Sequence, residues 1–259
     1  MRLYLVIDET CFYQQNFVAR FLEKTQDEVV GAALVTRIPK KNNIHQYLFE
    51  RWYHLRFFEI LKLLTLFFVA KLFDVFLPKK REGRFYSVKS VFKFFRVPFI
   101  EVKDDMNQEA YIHHIKSKNP DVLISSNSLY FHKNILKLPR ICCINRHSAL
   151  LPSYGGLFPV LQAYLHAETY TGVSVHMMNR HMDAGAVLSQ KKIEISKKDT
   201  VASLYKKCFE ISAKVVLEAL NKIKENDFSP VYNHCTASYY SFPTKEHWKT
   251  FREKGGRFI

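Results

Sequence analysis

The sequence predicts an α/β fold with a doubly wound, mostly parallel sheet. Three observations carry the prediction. Short apolar runs bounded by turn residues alternate along the chain with stretches of helical periodicity. The chain has 259 residues, 47% hydrophobic and 24% charged, which allows a sizeable core and excludes a disordered or collagen-like chain. Only 8 glycines and 9 prolines are present, so composition supplies no long flexible linker.

The elements follow in order. Residues 3–7 read as a first buried strand, too short and too closely followed by Asp8 to be a signal peptide. Residues 14–24 read as a helix, with Phe17, Phe21 and Leu22 on one face, and residues 28–36 as a second strand. The turn after the first strand, Asp8-Glu9-Thr10-Cys11-Phe12, holds no glycine, so the dinucleotide-binding fingerprint is absent, and no P-loop occurs. Residues 88–95 read as a helix and 98–102 as extended, and Asn107 reads as the cap of a helix reaching about Lys118. Residues 121–125 and 140–145 read as buried strands. Residues 171–177 and 187–195 are extended, with an Asp183-Ala184-Gly185 turn between them. A long helix starts near Asp199 or Thr200 and runs to about Glu225, with Leu204, Cys208, Ile211, Val215 and Leu220 as its apolar stripe. Pro230 opens a tail that ends in a short charged helix at about 245–254. In sheets of this kind, functional groups gather at the carboxyl ends of the strands.

Residues 52–77 interrupt the alternation. They are rich in Phe and Leu, but the longest charge-free run, residues 63–70, is far shorter than a bilayer span. On a helical wheel Arg56, Glu59, Lys71 and Asp74 fall on one side, and Phe57, Leu61, Leu64, Phe68, Leu72 and Phe76 on the other. Pro78 ends the helix and the basic run Lys79-Lys80-Arg81-Glu82-Gly83-Arg84 follows. Two placements suit such an element: on an anionic membrane surface, or with its apolar face in the core or in a homodimer seam. The second is the commoner and is taken as the first expectation.

Charge is the unusual feature of the composition. Lys plus Arg number 39 and Asp plus Glu 24, a net charge of +15. Such a surplus calls for an anionic partner: nucleic acid, a phosphorylated substrate, a polyanionic cofactor or an acidic membrane. Seven basic residues fall between Lys79 and Arg96 against the single acid Glu82, and residues 122–167 hold four basic residues and no acid. The five cysteines (Cys11, Cys142, Cys143, Cys208, Cys235) form no Cys-x-x-Cys pair, which suits a reducing cytosol. His113 and His114 lack a zinc-ligand spacing, so no metal site is expected.

The most informative stretch is residues 144–156. Asn145 and His147 lie two apart at the end of an extended strand, so both side chains project to one face. An amide donor beside an imidazole can stabilise an oxyanion. The missing carboxylate must come from further along, and Asp183 is the obvious source. Taken singly, each has a plainer role: Asn145 as a strand-end cap, His147 as a satisfied core histidine, Asp183 as a turn residue.

Taken together, the motifs resemble the folate-dependent formyltransferases, the family that includes methionyl-tRNA, glycinamide ribonucleotide and amino-sugar formyltransferases. The resemblance rests on Asn145/His147, Leu150-Leu151-Pro152, Pro152/Tyr154/Gly156, Gly172-Val173-Ser174-Val175-His176, Asp183/Gly185 and Gln190. It is strong over roughly residues 119–225. It implies a Rossmann-like catalytic domain over residues 1–228, carrying an insert at about 50–84, and a C-terminal extension over 229–259. It implies Asn145, His147 and Asp183 as the catalytic trio, with Asp183 favouring the charged form of His147. The co-substrate would be 10-formyltetrahydrofolate, its pterin near Asn127, Leu129, Phe131, His181 and Met182. The acceptor would meet Leu151, Tyr154, Gly155 and Gly156. No metal is required.

Departures from the family narrow the acceptor. The serine that usually precedes Leu-Leu-Pro is Ala149 here, with Ser148 one place earlier. The absent glycine-rich loop speaks against a glycinamide ribonucleotide, and the 34 residues after Glu225 are too few for the C-terminal barrel of methionyl-tRNA formyltransferases. An amino sugar or carrier-linked amine is the expected acceptor. Methionyl-tRNA, with tRNA as partner, is the runner-up. Hydrolysis of formyltetrahydrofolate and a non-enzymatic membrane-peripheral protein are the remaining alternatives. The expected location is the cytoplasm, with the inner face of the membrane as a second site.

Overall fold

The computed structural model describes residues 1–9, 12–36, 55–76, 85–103 and 105–259. In chain order the elements are β1 (Arg2–Asp8), α1 (Gln14–Lys24), β2 (Glu28–Val35), α2 (Phe57–Phe76), α3 (Val88–Phe94), β3 (Phe99–Val102), α4 (Glu109–Lys118), β4 (Val122–Ser126), α5 (Lys133–Leu136), β5 (Cys142–His147), β6 (Gly155–Gly156), α6 (Pro159–Leu165), β7 (Tyr170–Met177), β8 (Val187–Glu194), α7 (Val201–Lys224), β9 (Tyr239–Tyr240) and α8 (Lys245–Glu253).

The apolar run of β1 explains the layers. Leu3, Leu5 and Ile7 enter one core with Phe17, Phe21, Leu204 and Val216, while Tyr4 and Val6 enter another with Val102, Ile115 and Leu123. Side chains alternate along a strand, so an unbroken apolar strand must be covered on both faces. Helices α1 and α7 pack together over the first face, where Tyr13 meets Phe209 at a 5.8 Å ring separation. Helix α4 brings Ile115 to the second. Thr200 caps α7 reciprocally with Ser203, as the Asp199/Thr200 start requires.

The seven-stranded sheet has the order β3-β2-β1-β4-β5-β7-β8. Strands β1 to β5 run parallel. Strand β7 is antiparallel to both its neighbours, β5 and β8. From β1 the chain winds outward through β2 and β3, then returns to β4 on the other side of β1. In sheets of this kind such a reversal is where functional groups gather, at the carboxyl edge. The tail does not hang free. Trp248 and Phe251 enter the main core, and the backbone N–H groups of Val201 and Ala202 donate to Arg257 and Phe258.

Three expectations change. Asn107 does not cap α4, whose N-cap is Gln108. Its amide instead holds the 130–132 loop, donating to the Tyr130 carbonyl (2.9 Å) and accepting from the His132 N–H (2.7 Å). Helices α5 and α6 and the pair β6–β9 give no periodic signal, because they are too short to repeat one. The apolar face of α2 does not enter the core. Its polar side does the docking, with Glu59 bonded to Arg252 and Asp74 to Ser90. Trp52, Pro78 and the basic run 79–84 lie outside the described residues. Among the described residues no helix is long and apolar enough to cross a membrane.

Candidate active site

The site begins with the register of β5 against β7. Asn145 stands opposite His176, and His147 opposite Ser174. Directly opposed residues in an antiparallel pair bring their side chains together. Alternation along both strands then puts four polar groups on one patch at the end of β5.

His147 is buried, with Nε2 2.9 Å from the Tyr154 carbonyl oxygen. A carbonyl only accepts, so this nitrogen carries the proton and Nδ1 is the free base. Nδ1 faces Asp183 Oδ2 across 3.8 Å, too far for a hydrogen bond but close enough for charge to act. Burial lowers the His147 pKa below the ordinary histidine value. The Asp183 charge works the other way and does not overcome it. Asp183 thus favours the charged ring, as expected, but burial is the larger influence and sets the direction of the shift.

Asp183 sits in the left-handed region (φ 53°) in the turn between β7 and β8. Its Oδ2 accepts from the Gly156 N–H at 2.8 Å, and its Oδ1 lies 3.4 Å from His176 Nε2. Burial opposes ionisation, but the His147 charge at low pH, the His176 contact and the Gly156 N–H outweigh it. The carboxyl is held well below the usual carboxylate range. Gly185 allows the turn, since a Cβ there would overlap the Met177 carbonyl.

His176 is the group that the expected trio lacked. Its Nδ1 lies 2.9 Å from the Met177 carbonyl, which turns Nε2 toward Asn145 Nδ2 (3.3 Å) and Asp183 Oδ1 (3.4 Å). Asn145 Oδ1 is buried without a hydrogen-bond partner among the described residues. A buried orphan amide oxygen costs free energy, and here it marks where a ligand group belongs.

The loop after β5 is held by β7, β8 and the tail. The Ser174 hydroxyl donates to the Ala149 carbonyl (2.6 Å) and accepts from the Leu151 N–H (3.0 Å). Gln190 donates to the Leu151 carbonyl (2.9 Å) and to Ser174 Oγ (2.8 Å). Leu151 is buried and precedes Pro152 through a cis peptide bond. Strand β9 then pairs with β6, and Ser238 Oγ accepts from the Tyr154 N–H (2.9 Å). The Tyr154 ring stacks on Tyr240 (centroids 5.7 Å apart, planes 13° apart) and donates its hydroxyl to Glu168 (2.6 Å). Tyr239, exposed, reaches Met182. An aromatic wall built partly from the tail stands beside Gly155 and Gly156.

The expected pterin positions fall on two loops that meet. Asn127 is spent on local bonds, donating to the Val6 carbonyl (3.2 Å) and accepting from the Leu129 N–H (2.7 Å). The side chains of Leu129 and Phe131 are buried in the second core. Tyr130, between them, is half exposed and donates to the Arg180 carbonyl (3.0 Å), joining this loop to that of His181 and Met182. His181 and Met182 are exposed. Among the described residues no group of three or more His, Cys, Asp or Glu side chains is arranged to hold a metal ion.

The matching family model, described as formyl transferase, covers residues 77–220. A methionyl-tRNA formyltransferase of Thermotoga maritima is 32% identical over 176 residues, 65% of this chain and 56% of that protein. The bifunctional polymyxin resistance protein ArnA of Wigglesworthia glossinidia brevipalpis is 32% identical over 169 residues, 64% of this chain and 25% of that protein. Among solved structures, a sugar N-formyltransferase from Shewanella sp. FDAARGOS_354 aligns with TM-score 0.57 at 17% identity, covering 93% of this chain and 77% of that one. The phosphoribosylglycinamide formyltransferase of Bacillus halodurans aligns with TM-score 0.58 at 18% identity, covering 86% and 95%. These structural likenesses show a shared fold. The chain spans about half the length of the methionyl-tRNA formyltransferases it matches.

Proposed function

Because the chain belongs to the formyl transferase family, we propose that it moves a formyl group from 10-formyltetrahydrofolate to the primary amine of an amino sugar or a carrier-linked amine. The observation that carries the reading is the cluster of buried His147 and His176 with half-buried Asn145 and Asp183, around an orphan amide oxygen. The fit to a formyl carbonyl is chemical. Asn145 Nδ2 carries two hydrogens: with the His176 Nδ1–H committed to the Met177 carbonyl, one is donated to His176 Nε2 and the other serves the formyl oxygen, while the orphan Oδ1 accepts from the incoming amine.

The amine nitrogen attacks the formyl carbon and the carbonyl electron pair moves onto oxygen. Asn145 Nδ2–H donates to that oxyanion. His147, whose Nδ1 is the free base, takes the proton from the attacking nitrogen. Asp183, 3.8 Å from Nδ1, stabilises the imidazolium that forms. Collapse re-forms the C=O bond and expels the folate nitrogen, which recovers the proton from His147. The role given to His147 shifts from oxyanion donor to base, because its other nitrogen is committed to Tyr154.

The pH profile checks this assignment. His147 must be uncharged to accept a proton, and burial lowers its pKa. Activity therefore holds as pH falls past the ordinary histidine value of about 6.5 and is lost only below it. In Asp183→Asn the imidazolium loses its partner, so the acid limb moves to still lower pH while the plateau drops. An acid limb of kcat/KM centred above 6.5 contradicts the assignment.

The tail favours a sugar-like acceptor. Tyr154, Tyr239 and Tyr240 line the loop that ends at Gly156, and flat aromatic faces suit a pyranose or a nucleotide base. The relatives named methionyl-tRNA formyltransferase favour tRNA as the second reading. A screen of amine acceptors with isotopically labelled formyl donor and mass detection of the product tests both. A formylated amino sugar supports the first reading. Formylated Met-tRNA, with binding that falls steeply as salt rises, supports the second. Stoichiometric formate released with no amine present defeats both and makes the protein a hydrolase.

A further inference from the structure

We propose that α2 is an interfacial helix that seats the carboxyl edge of the sheet on an anionic bilayer. The helix is fastened to the body by its polar groups. Glu59 accepts two bonds from Arg252 (2.9 and 2.5 Å) and one from the Phe258 N–H (2.9 Å). Asp74 accepts from Ser90 Oγ (2.5 Å) and Ser87 Oγ (3.0 Å). With Leu63 and Ala70, and with Ile60 at its edge, the less exposed residues between them, these define one stripe of the helix.

At about 100° per residue, the arc directly opposite that stripe is apolar apart from Thr65, whose hydroxyl donates to the Leu61 carbonyl within the helix. Phe57, Phe58, Leu61, Leu64, Phe68 and Val75 fall within it, and Phe57, Phe58 and Val75 are each more than 70% exposed. A surface helix of a soluble body buries its apolar side. This one has the opposite orientation, set by two acids whose hydrogen bonds lie on the wrong side for a core helix. Exposed apolar patches of this extent mark interaction surfaces.

Charge selects the occupant. Lys62 and Lys71 stand at the two borders of the apolar arc, both exposed, where long basic side chains reach the headgroup level. Lys89 and Lys93 of α3 are exposed beside the end that Asp74 fastens, and the sequence that follows α2 carries Lys79, Lys80, Arg81 and Arg84 against one acid, Glu82. A second copy would bring the same lysines, and a net charge of +15, against their own kind. An anionic bilayer receives the apolar arc and the basic border at once. The helix follows β2 and touches the loop after β1, where Phe67 meets Phe12, so it lies on the same edge as Asn145 and His147. The proposal does not depend on the formyl-transfer reading.

The test is flotation of the full chain with vesicles of mixed phosphatidylglycerol and phosphatidylcholine, and with vesicles of phosphatidylcholine alone. The protein should float with the first and bind the second at least tenfold more weakly. Lys62→Glu and Lys71→Glu should each weaken binding to the anionic vesicles by about fivefold or more. Phe58→Glu combined with Phe68→Glu should abolish it while leaving the melting temperature and formyl transfer to a soluble amine unchanged, since these side chains face away from the body. A wild-type protein that ignores anionic vesicles overturns the proposal. So does a folded double variant that still floats, or a wild-type dimer that the same two changes dissociate while vesicle binding is absent.

Discussion

Asn145→Ala lowers kcat for formyl transfer by about 10²- to 10³-fold and leaves KM for the amine within a few-fold of the parent. The magnitude is that of deleting one preorganised oxyanion donor. The split between kcat and KM follows from when the bond is made. Charge appears on the formyl oxygen only after attack, so the Asn145 amide binds the transition state and not the ground state. Truncation removes the Nδ2 contact to His176 but also the buried, unpartnered Oδ1, so the loss of one polar contact is offset by the removal of one orphan group. His176 is left with Asp183 at 3.4 Å. Loss of activity with an unchanged melting temperature is therefore the expected pair of readings. Asn145→Asp separates charge from shape: it keeps the size, replaces the donor with an acceptor beside Asp183, and falls at least as far. A folded Asn145→Ala protein with parental kcat removes Asn145 from the mechanism.

What could be read in the sequence divides along physical lines. Asn145, His147 and Asp183 sit on motifs whose geometry is local, two residues apart on a strand or inside one turn, and the structure brings all three together. His176 lay in plain view inside Gly172-Val173-Ser174-Val175-His176, where polar residues alternate within an apolar strand. Its place opposite Asn145 depends on an antiparallel register across 31 residues, which periodicity does not encode. The same limit hid β9, a two-residue strand with no pattern of its own, which pairs 84 residues back in the chain.

The amphipathic character of α2 was legible, but its direction was not. The sign was decided by Glu59 finding Arg252 across 193 residues. His147 shows the limit in electrostatics. A neighbouring carboxylate can be guessed from sequence, whereas the burial that outweighs it is a property of the folded surroundings.

Gly156→Ala, a single methyl, damages stability and rate together. Gly156 has φ +88°, where a side chain is strained by about 1–3 kcal/mol, and the added Cβ would overlap the Tyr240 carbonyl oxygen. That carbonyl accepts the Leu157 N–H at 2.8 Å within the β6–β9 pairing, so the clash pushes the tail away from the loop. The Gly156 N–H is also the 2.8 Å donor to Asp183 Oδ2. Displacing it weakens the bond that fixes the carboxylate beside His147, and a misplacement of about 1 Å in such a group costs on the order of 10²-fold in rate. A fall in melting temperature and a fall in kcat of that order are expected in one variant, with Tyr239 and Tyr240 becoming more accessible to solvent. Gly255→Ala is the control. Its φ is also positive, at +73°, but nothing lies within 4 Å of the added Cβ. It carries the backbone strain without the clash, so it loses some stability and keeps its rate. If both variants lose stability equally and both keep their activity, the tail does not brace the catalytic loop, and Asp183 owes its position to His176 and the Gly185 turn instead.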